Sequence, residues 1–278
     1  KVKAKEPYDL VTEPLINSNN LSKILDKKDF HGLINQAYDL SKKGYCFLKL
    51  KDKNWLHLLD TAREDLEKTE EYRKLNPNNP ESIRFQDAWL HKKLESVHKI
   101  ATNKIILDFL SKLYGRESFP FQTLNFPYGS MQKIHTDDIH FSSMPKGFMC
   151  GVWVALEDVR PDSGPLIYYP YSHKSKYISS RDLNLDYKKI KSTNSPQNYF
   201  ENYWDKLIKN HKYECKEFIA KKGEILIWHA NLLHGGKKRT DKKLTRWSQV
   251  THYYFKNCAY YTPFYLTKDM YEAHDALI

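Results

Sequence analysis

The second half of the chain is a series of short β-rich runs that alternate with glycine, proline and aspartate turns. Six strands are predicted here, at 120–126, 131–136, 147–156, 165–169, 224–228 and 244–255. Several short strands at this spacing are typical of an all-β sandwich or barrel. The pattern therefore predicts that residues 119–256 form a β-barrel core.

The first third of the chain has a helical period instead. Apolar residues recur three and four positions apart over 21–43, 55–73 and 97–114, and Gly44 ends the first of these segments. A strand is predicted at 45–50 and a loop at 76–80. At 278 residues the chain can bury one large core. We predict a single α+β domain with a mainly helical part (1–118), a β core (119–256) and a tail (257–278).

A long polar insert, residues 171–213, separates two groups of predicted strands. It carries one helix candidate, around 199–210, and few apolar residues to anchor it. Loops of this length inside a compact domain are usually functional, so we expect a mobile lid that contributes to substrate specificity. Its lysines either meet an anionic group of the substrate or are simply solvated; they are Lys174, Lys176, Lys188, Lys189 and Lys191.

The basic charge of the chain has two open interpretations. The net charge is +11, and the 45 basic residues are 37 lysines and 8 arginines whose runs are scattered along the sequence. Scattered lysines are typical of a solvated surface, whereas an acidic partner or substrate would also account for the excess. We predict a small-molecule substrate and no nucleic-acid partner, and an anionic substrate is one of the open alternatives.

The four cysteines do not form a CxxC pair, and four in a chain of this length do not make a disulfide scaffold. A reducing compartment, the cytoplasm, is therefore expected. No apolar run reaches the roughly 18–20 residues that span a bilayer, and the polar residues 1–20 lack the apolar core of a signal peptide.

The strongest chemical signal is the sequence His135-Thr-Asp137 at the end of a predicted strand. Alternation along a strand would point residues 135 and 137 to the same face. A second histidine about 100 residues later would complete a two-histidine, one-carboxylate site, which holds Fe(II) on one side and leaves other positions open. Downstream, Arg246 would suit a dicarboxylate, because a guanidinium pairs bidentately with a carboxylate.

Residues 119–256 resemble the phytanoyl-CoA dioxygenase family of Fe(II)- and 2-oxoglutarate-dependent oxygenases. The resemblance rests on a strand with Asn125 and Pro127, the His-x-Asp motif, the run Val152 to Asp158, the segments 163–166 and 170–174, and the block 223–255. Ser163 and Tyr171 depart from the family's signature. The resemblance implies a double-stranded β-helix, or jelly roll, with the N-terminal helices packed outside.

The resemblance also implies roles for individual residues. The iron ligands would be His135, Asp137 and His234, and Arg246 would pair with the distal carboxylate of 2-oxoglutarate. The cosubstrate would also contact three further residues, Trp153, Gln122 and Ser248. Where the family often has a hydroxyl two residues past the distal histidine, this chain has Gly236, and Ser248 is the alternative. O2 would be the second cosubstrate, and succinate and CO2 the by-products.

Other residues near these motifs have competing interpretations. His229 is an alternative to His234 as the distal ligand, although the glycine pair after His234 favours the latter. His140 and Lys133 are candidates for substrate contact or for the protein surface. His173 is expected to make a structural hydrogen bond, and the pair Trp228 and Trp247 to lie in the core.

Two other functions remain open from the sequence. The barrel could be a non-catalytic binding module, or a metal-dependent cupin-like isomerase or lyase that does not use 2-oxoglutarate. Because Asp137 is present, halogenation, in which related enzymes replace this carboxylate with a small residue, is disfavoured. Hydroxylation of a small-molecule metabolite is the expected reaction.

Overall fold

A computed structural model of the chain describes residues 13–17, 21, 32–75, 84–192 and 195–267. Several predicted segments lie wholly or partly outside these residues: the polar stretch 1–20, much of the helix at 21–43, the loop at 76–80 and the end of the tail.

Antiparallel strands form three sheets, of which the largest has six strands. The strands are β1 (Tyr45–Lys49), β2 (Phe85–Gln86), β3 (Ser118–Phe126), β4 (Ser142–Met144), β5 (Met149–Ala155), β6 (Leu166–Tyr168), β7 (Lys216–Phe218), β8 (Glu224–His229), β9 (His234–Gly236), β10 (Ser248–Phe255) and β11 (Ala259–Tyr261). The strand orders are β1-β8-β5-β10-β3-β2, β7-β6-β9 and β11-β4. The six-stranded and three-stranded sheets share an apolar layer that includes Trp153, Leu166 and Phe218. The described strands therefore form facing sheets rather than one closed ring.

Helices from the first part of the chain cover one face of the large sheet, whereas the last two helices belong to the insert. The helices are α1 (Ile34–Lys43), α2 (Lys53–Glu67), α3 (Glu70–Arg73), α4 (Ala88–His91), α5 (Glu95–Ala101), α6 (Lys104–Tyr114), α7 (Tyr187–Ser192) and α8 (Gln197–His211). Helices α1, α2, α5 and α6 bury Trp55, Leu59 and Leu110 in one cluster with Val152 and Ile227 of the sheet. None of these helices has the length and apolar character that crossing a bilayer would require.

Three predicted elements differ from those expected. The helix predicted at 55–73 is two helices, α2 and α3, because the side chain of Thr69 accepts a hydrogen bond from the backbone N–H of Tyr72 and so begins α3 as an N-cap. The helix predicted at 97–114 is two helices, because the side chain of Asn103 accepts hydrogen bonds from the backbone N–H groups of Ile105 and Ile106 and so begins α6 as an N-cap. The strand predicted at 131–136 is absent. Met131 has a φ of 50°, which interrupts extended backbone, and this segment pairs only through an isolated bridge between His135 and His234.

The insert 171–213 is better anchored than the sequence indicated. It contains α7 and α8, and Phe200 and Trp204 of α8 are fully buried. They pack in one cluster with Ile139, Leu233 and Phe264. The expectation that few apolar residues anchor the insert is therefore wrong. A few widely spaced side chains suffice because they repeat at helical spacing.

Candidate metal centre and its cavity

Three side chains from two segments converge at one end of the space between the sheets. One ligand atom each from His135, Asp137 and His234 lies within 4.8 Å of the other two. Oδ1 of Asp137 is 3.8 Å from Nε2 of His135 and 3.6 Å from Nε2 of His234. His135 and His234 are joined by two backbone hydrogen bonds of 2.9 and 3.0 Å, and Asp137 begins a 3₁₀ turn.

Backbone carbonyls fix which nitrogen of each histidine faces the cluster. Nδ1 of His135 donates to the carbonyl of Lys133 over 2.8 Å, and Nδ1 of His234 donates to that of Leu232 over 3.0 Å. A carbonyl only accepts, so each Nδ1 carries the hydrogen and each neutral ring presents the lone pair of Nε2. Burial lowers the pKa of His234 to about 4, although Asp137 opposes the shift. The neutral ring that a metal requires is therefore the prevailing form near pH 7.

The second oxygen of Asp137 is held by the large sheet. Nε1 of Trp228 donates to Oδ2 over 2.7 Å, and Nε2 of His252 lies 3.6 Å from the same oxygen. Burial alone would raise the pKa of Asp137, but the facing imidazoles of His234 and His252 hold it below its usual range. Asp137 is therefore ionised, with Oδ2 occupied and Oδ1 directed toward the two histidines.

A glycine between these two residues makes room for the indole. Gly151 of β5 lies opposite Trp228 of β8 on one side and opposite His252 of β10 on the other. A Cβ at position 151 would lie 2.3 Å from the Trp228 ring, closer than real contacts allow. The row His252–Gly151–Trp228 thus runs across three adjacent strands and places the indole N–H of Trp228 and the imidazole ring of His252 beside Asp137.

A buried guanidinium faces the same cavity from the start of β10. Arg246 is 2% exposed, and its carbon Cζ lies 5.3 Å from the centroid of the Trp153 ring. Its one side-chain hydrogen bond is a long one of 3.4 Å to the carbonyl of Tyr128, and Nε has no partner within the described residues. Burial lowers its pKa to about 10, so the group remains a cation near pH 7. A buried cation with unused donors is suited to an anionic ligand.

The candidate residues share one cavity of about 620 Å³. Of the residues predicted from the sequence, those that line it are His135, Asp137, His234, Arg246, Trp153, Gln122, His140 and Lys133. Gln122 accepts a 3.0 Å hydrogen bond from Nδ1 of His252. Ser248 is fully buried and does not line the cavity in the described part of the chain.

His229 and His173, whose roles the sequence left open, have contacts with other parts of the protein. His229 is buried outside the cavity, with its ring centroid 5.5 Å from that of His173. Nε2 of His173 donates to the carbonyl of Ser41 over 3.1 Å.

Within the described chain, none of the five lysines named for the insert lines the cavity, and Lys176 pairs with Asp182.

Sequence reasoning missed several residues that line the cavity, among them His252, Trp228 and Glu201. His252 was not singled out, Trp228 was expected to be core packing, and Glu201 lay in the polar insert. Of these three, only Trp228 had a usable signal in the sequence. Because side chains alternate along a strand, Trp228 lies on the same face of β8 as Leu226, and Ile225 and Ile227 lie on the opposite face. His252 and Glu201 reach the cavity through strand register and helix packing, which have no local signature.

Comparisons with known proteins agree with this architecture. A family model described as phytanoyl-CoA dioxygenase matches residues 49–246. No curated protein matches the chain.

Solved structures with the same fold include three oxygenase-type enzymes. The α-ketoglutarate-dependent carbocyclase SnoK from nogalamycin biosynthesis is 14% identical with a TM-score of 0.59, over 88% of this chain and 90% of that one. EctD from S. alaskensis with 2-oxoglutarate and 5-hydroxyectoine is 16% identical with a TM-score of 0.57, over 80% and 75%. The epimerase SnoN with Fe³⁺, α-ketoglutarate and nogalamycin RO is 19% identical with a TM-score of 0.57, over 84% and 87%. The predicted α+β fold with a jelly-roll core is confirmed.

Proposed function

Because the chain belongs to the phytanoyl-CoA dioxygenase family of Fe(II)- and 2-oxoglutarate-dependent oxygenases, we propose that it oxidises a small organic molecule by hydroxylating a C–H bond. The observation that carries the proposal is the convergence of His135, Asp137 and His234 in a cavity that also contains the unpaired guanidinium of Arg246. Iron, when bound, would let O2 act as the oxidant of both 2-oxoglutarate, which gives succinate and CO2, and the substrate, which gains one oxygen atom.

The donor set fits Fe(II). Two neutral imidazole nitrogens and one carboxylate oxygen, within 4.8 Å of one another, form the two-histidine, one-carboxylate set that is typical of non-haem Fe(II) oxygenases. We propose that His135, Asp137 and His234 hold the metal. Trp228 then orients Asp137 through its second oxygen, which is the usual task of a hydrogen-bond partner of a metal ligand.

The surroundings of Arg246 fit one carboxylate of 2-oxoglutarate. The carboxylate of Glu157 acts on the charge of Arg246, but it already pairs with Arg63 at 3.1 Å and accepts from the backbone N–H of Trp247. We propose that Arg246 binds the distal carboxylate while the Trp153 ring supports the guanidinium from one side. Gln122, bonded to His252, lies on the same wall.

The reaction outcome is the part of the proposal that needs chemical evidence. The solved structures with this fold include a carbocyclase and an epimerase, so the fold does not choose between outcomes. The carboxylate Asp137 disfavours halogenation, and hydroxylation is the default outcome that we propose.

The four cysteines form no disulfides, which supports our proposal of a reducing compartment such as the cytoplasm.

The test is a metabolite screen with Fe(II), 2-oxoglutarate and O2 that follows succinate and the mass of each candidate. Hydroxylation adds one oxygen atom, whereas cyclisation or epimerisation does not. Arg246→Ala should abolish succinate formation, and the control Arg239→Ala removes another buried arginine that does not line the cavity. Product formation without 2-oxoglutarate would refute the proposal and favour an isomerase or lyase.

A further inference from the structure

Helix α8 presents two polar side chains to the cavity wall opposite the jelly-roll sheets. Gln197 and Glu201 both line the cavity, and residues four apart lie on one face of a helix about 5–6 Å from each other. The buried side chains of Phe200 and Trp204 fix the helix from another face. The two polar groups are therefore held in place rather than carried on a loose loop.

These two side chains have hydrogen-bonding capacity that the described protein does not use. Oε2 of Glu201 pairs with Nζ of Lys133 at 2.6 Å, whereas Oε1 and the amide of Gln197 make no hydrogen bond within the described residues. The side chain of Glu201 is only 18% exposed, while that of Lys133 is 72% exposed. The carboxylate thus faces inward and is largely removed from water, and the lysine approaches it from the solvent side.

The remaining outer wall is also polar. Ser130, Gln132 and Ser195 line the cavity here, together with Gln86. Among the apolar lining residues, Leu124, Phe126 and Val250 belong to strands β3 and β10. Leu166 belongs to β6, and Ile134 and Phe141 flank the segment that carries His135, Asp137 and His140. A long alkyl chain bound in this cavity would bury the unpaired groups of α8 against hydrocarbon, which costs free energy for each group left unsatisfied.

We propose that Glu201 and Gln197 bind the substrate, and that the substrate is a hydrophilic molecule with a hydroxyl or ammonium donor rather than a fatty-acyl chain. This proposal rests on the function proposed above. Among described residues, Asp137 and Glu201 are the carboxylates that line the cavity, and Asp137 is assigned to the metal. Glu201 is therefore the acidic group that remains for a donor of the substrate.

Binding can be measured without turnover on protein loaded with Ni(II) and 2-oxoglutarate. The probes are glucosamine, sorbitol and arginine as polar molecules and octanoate as an acyl chain, with affinities from saturation-transfer NMR. We expect at least one polar probe to bind more tightly than octanoate. Glu201→Gln should weaken that probe about tenfold, the lower range for a hydrogen bond to a charged group. The control Asp205→Asn removes the same charge one turn along α8, outside the cavity, and should leave binding unchanged.

A second variant separates substrate binding from a structural role of the ion pair. Lys133→Gln frees Glu201, so this variant should bind the polar probe at least as tightly as the wild-type protein does. Equal losses in Glu201→Gln and Lys133→Gln would mean that the pair only holds the loop to α8. Binding unaffected by Glu201→Gln, preference for octanoate, or failure of every polar probe would also overturn the proposal. The function proposed above fails separately, if Arg246→Ala leaves the affinity for 2-oxoglutarate unchanged.

Discussion

Replacing Trp228 with phenylalanine tests whether the large sheet orients the proposed metal ligand. The change removes the 2.7 Å hydrogen bond to Oδ2 of Asp137 and keeps an aromatic ring in the same buried place. A hydrogen bond to a charged group contributes about 1.5–3 kcal/mol. With a factor of ten for every 1.4 kcal/mol, the metal should bind roughly 10- to 150-fold more weakly. Loss of a ligand's hydrogen-bond partner typically costs about 10- to 100-fold in metal affinity, which agrees with this range.

The assay is an anaerobic titration of the metal-free protein with Mn(II), in which the electron paramagnetic resonance signal reports the free ion. Trp247→Phe is the matched control: Trp247 is also fully buried, but its Nε1 has no hydrogen-bond partner within the described residues. Denaturant titrations of both variants separate a loss of folding from a loss of metal affinity. If Trp228→Phe binds Mn(II) as tightly as wild type, or if Trp247→Phe is weakened equally, the hydrogen bond does not orient the ligand.

Four further predictions follow from the same geometry. Asp137→Ala should abolish metal binding and succinate formation; retained iron and turnover in this variant would contradict the ligand assignment. Arg246→Ala should weaken 2-oxoglutarate binding by about 2–5 kcal/mol, because one partner of a buried charge pair is lost; an unchanged KM for 2-oxoglutarate would place the anchor elsewhere. Gly151→Ala should lower metal affinity even where the protein folds, because the new Cβ would displace the Trp228 indole; a folded variant with wild-type affinity would argue against it. Burial lowers the pKa of His229 from 6.5 to about 3, so between these pH values the unfolded chain binds more protons than the folded protein. The free energy of unfolding of the metal-free protein should therefore fall as the pH falls across this window. His229→Gln should show a smaller change of this free energy with pH, measured by denaturant titration, and an identical pH dependence would refute the prediction.

The strands of the core could be predicted closely because their sequences are nearly continuous apolar runs. Strands β5 and β8 are buried along almost their whole length, and a run of this kind between turn residues has few other solutions. The segment 131–136 misled the prediction because nothing in its composition reports the positive φ of Met131. The break before α6 depended on a single side chain, that of Asn103.

The candidate site was predictable to the extent that its residues are adjacent in sequence or carry a family motif. His135 and Asp137 do face one point, although through a bridge and a 3₁₀ turn rather than through strand alternation. Their role as metal ligands stays a prediction. The partners of Asp137 could not be found in this way, since the row His252–Gly151–Trp228 exists only through the register of three strands.

The anchoring of α8 has a consequence for how the substrate enters the cavity. Moving the helix away would expose Phe200 and Trp204, at a cost of about 1.5–3 kcal/mol or more for each. A displaced helix would then be present in roughly one molecule in a hundred or fewer. We therefore expect α8 to stay in place while the substrate enters and the product leaves.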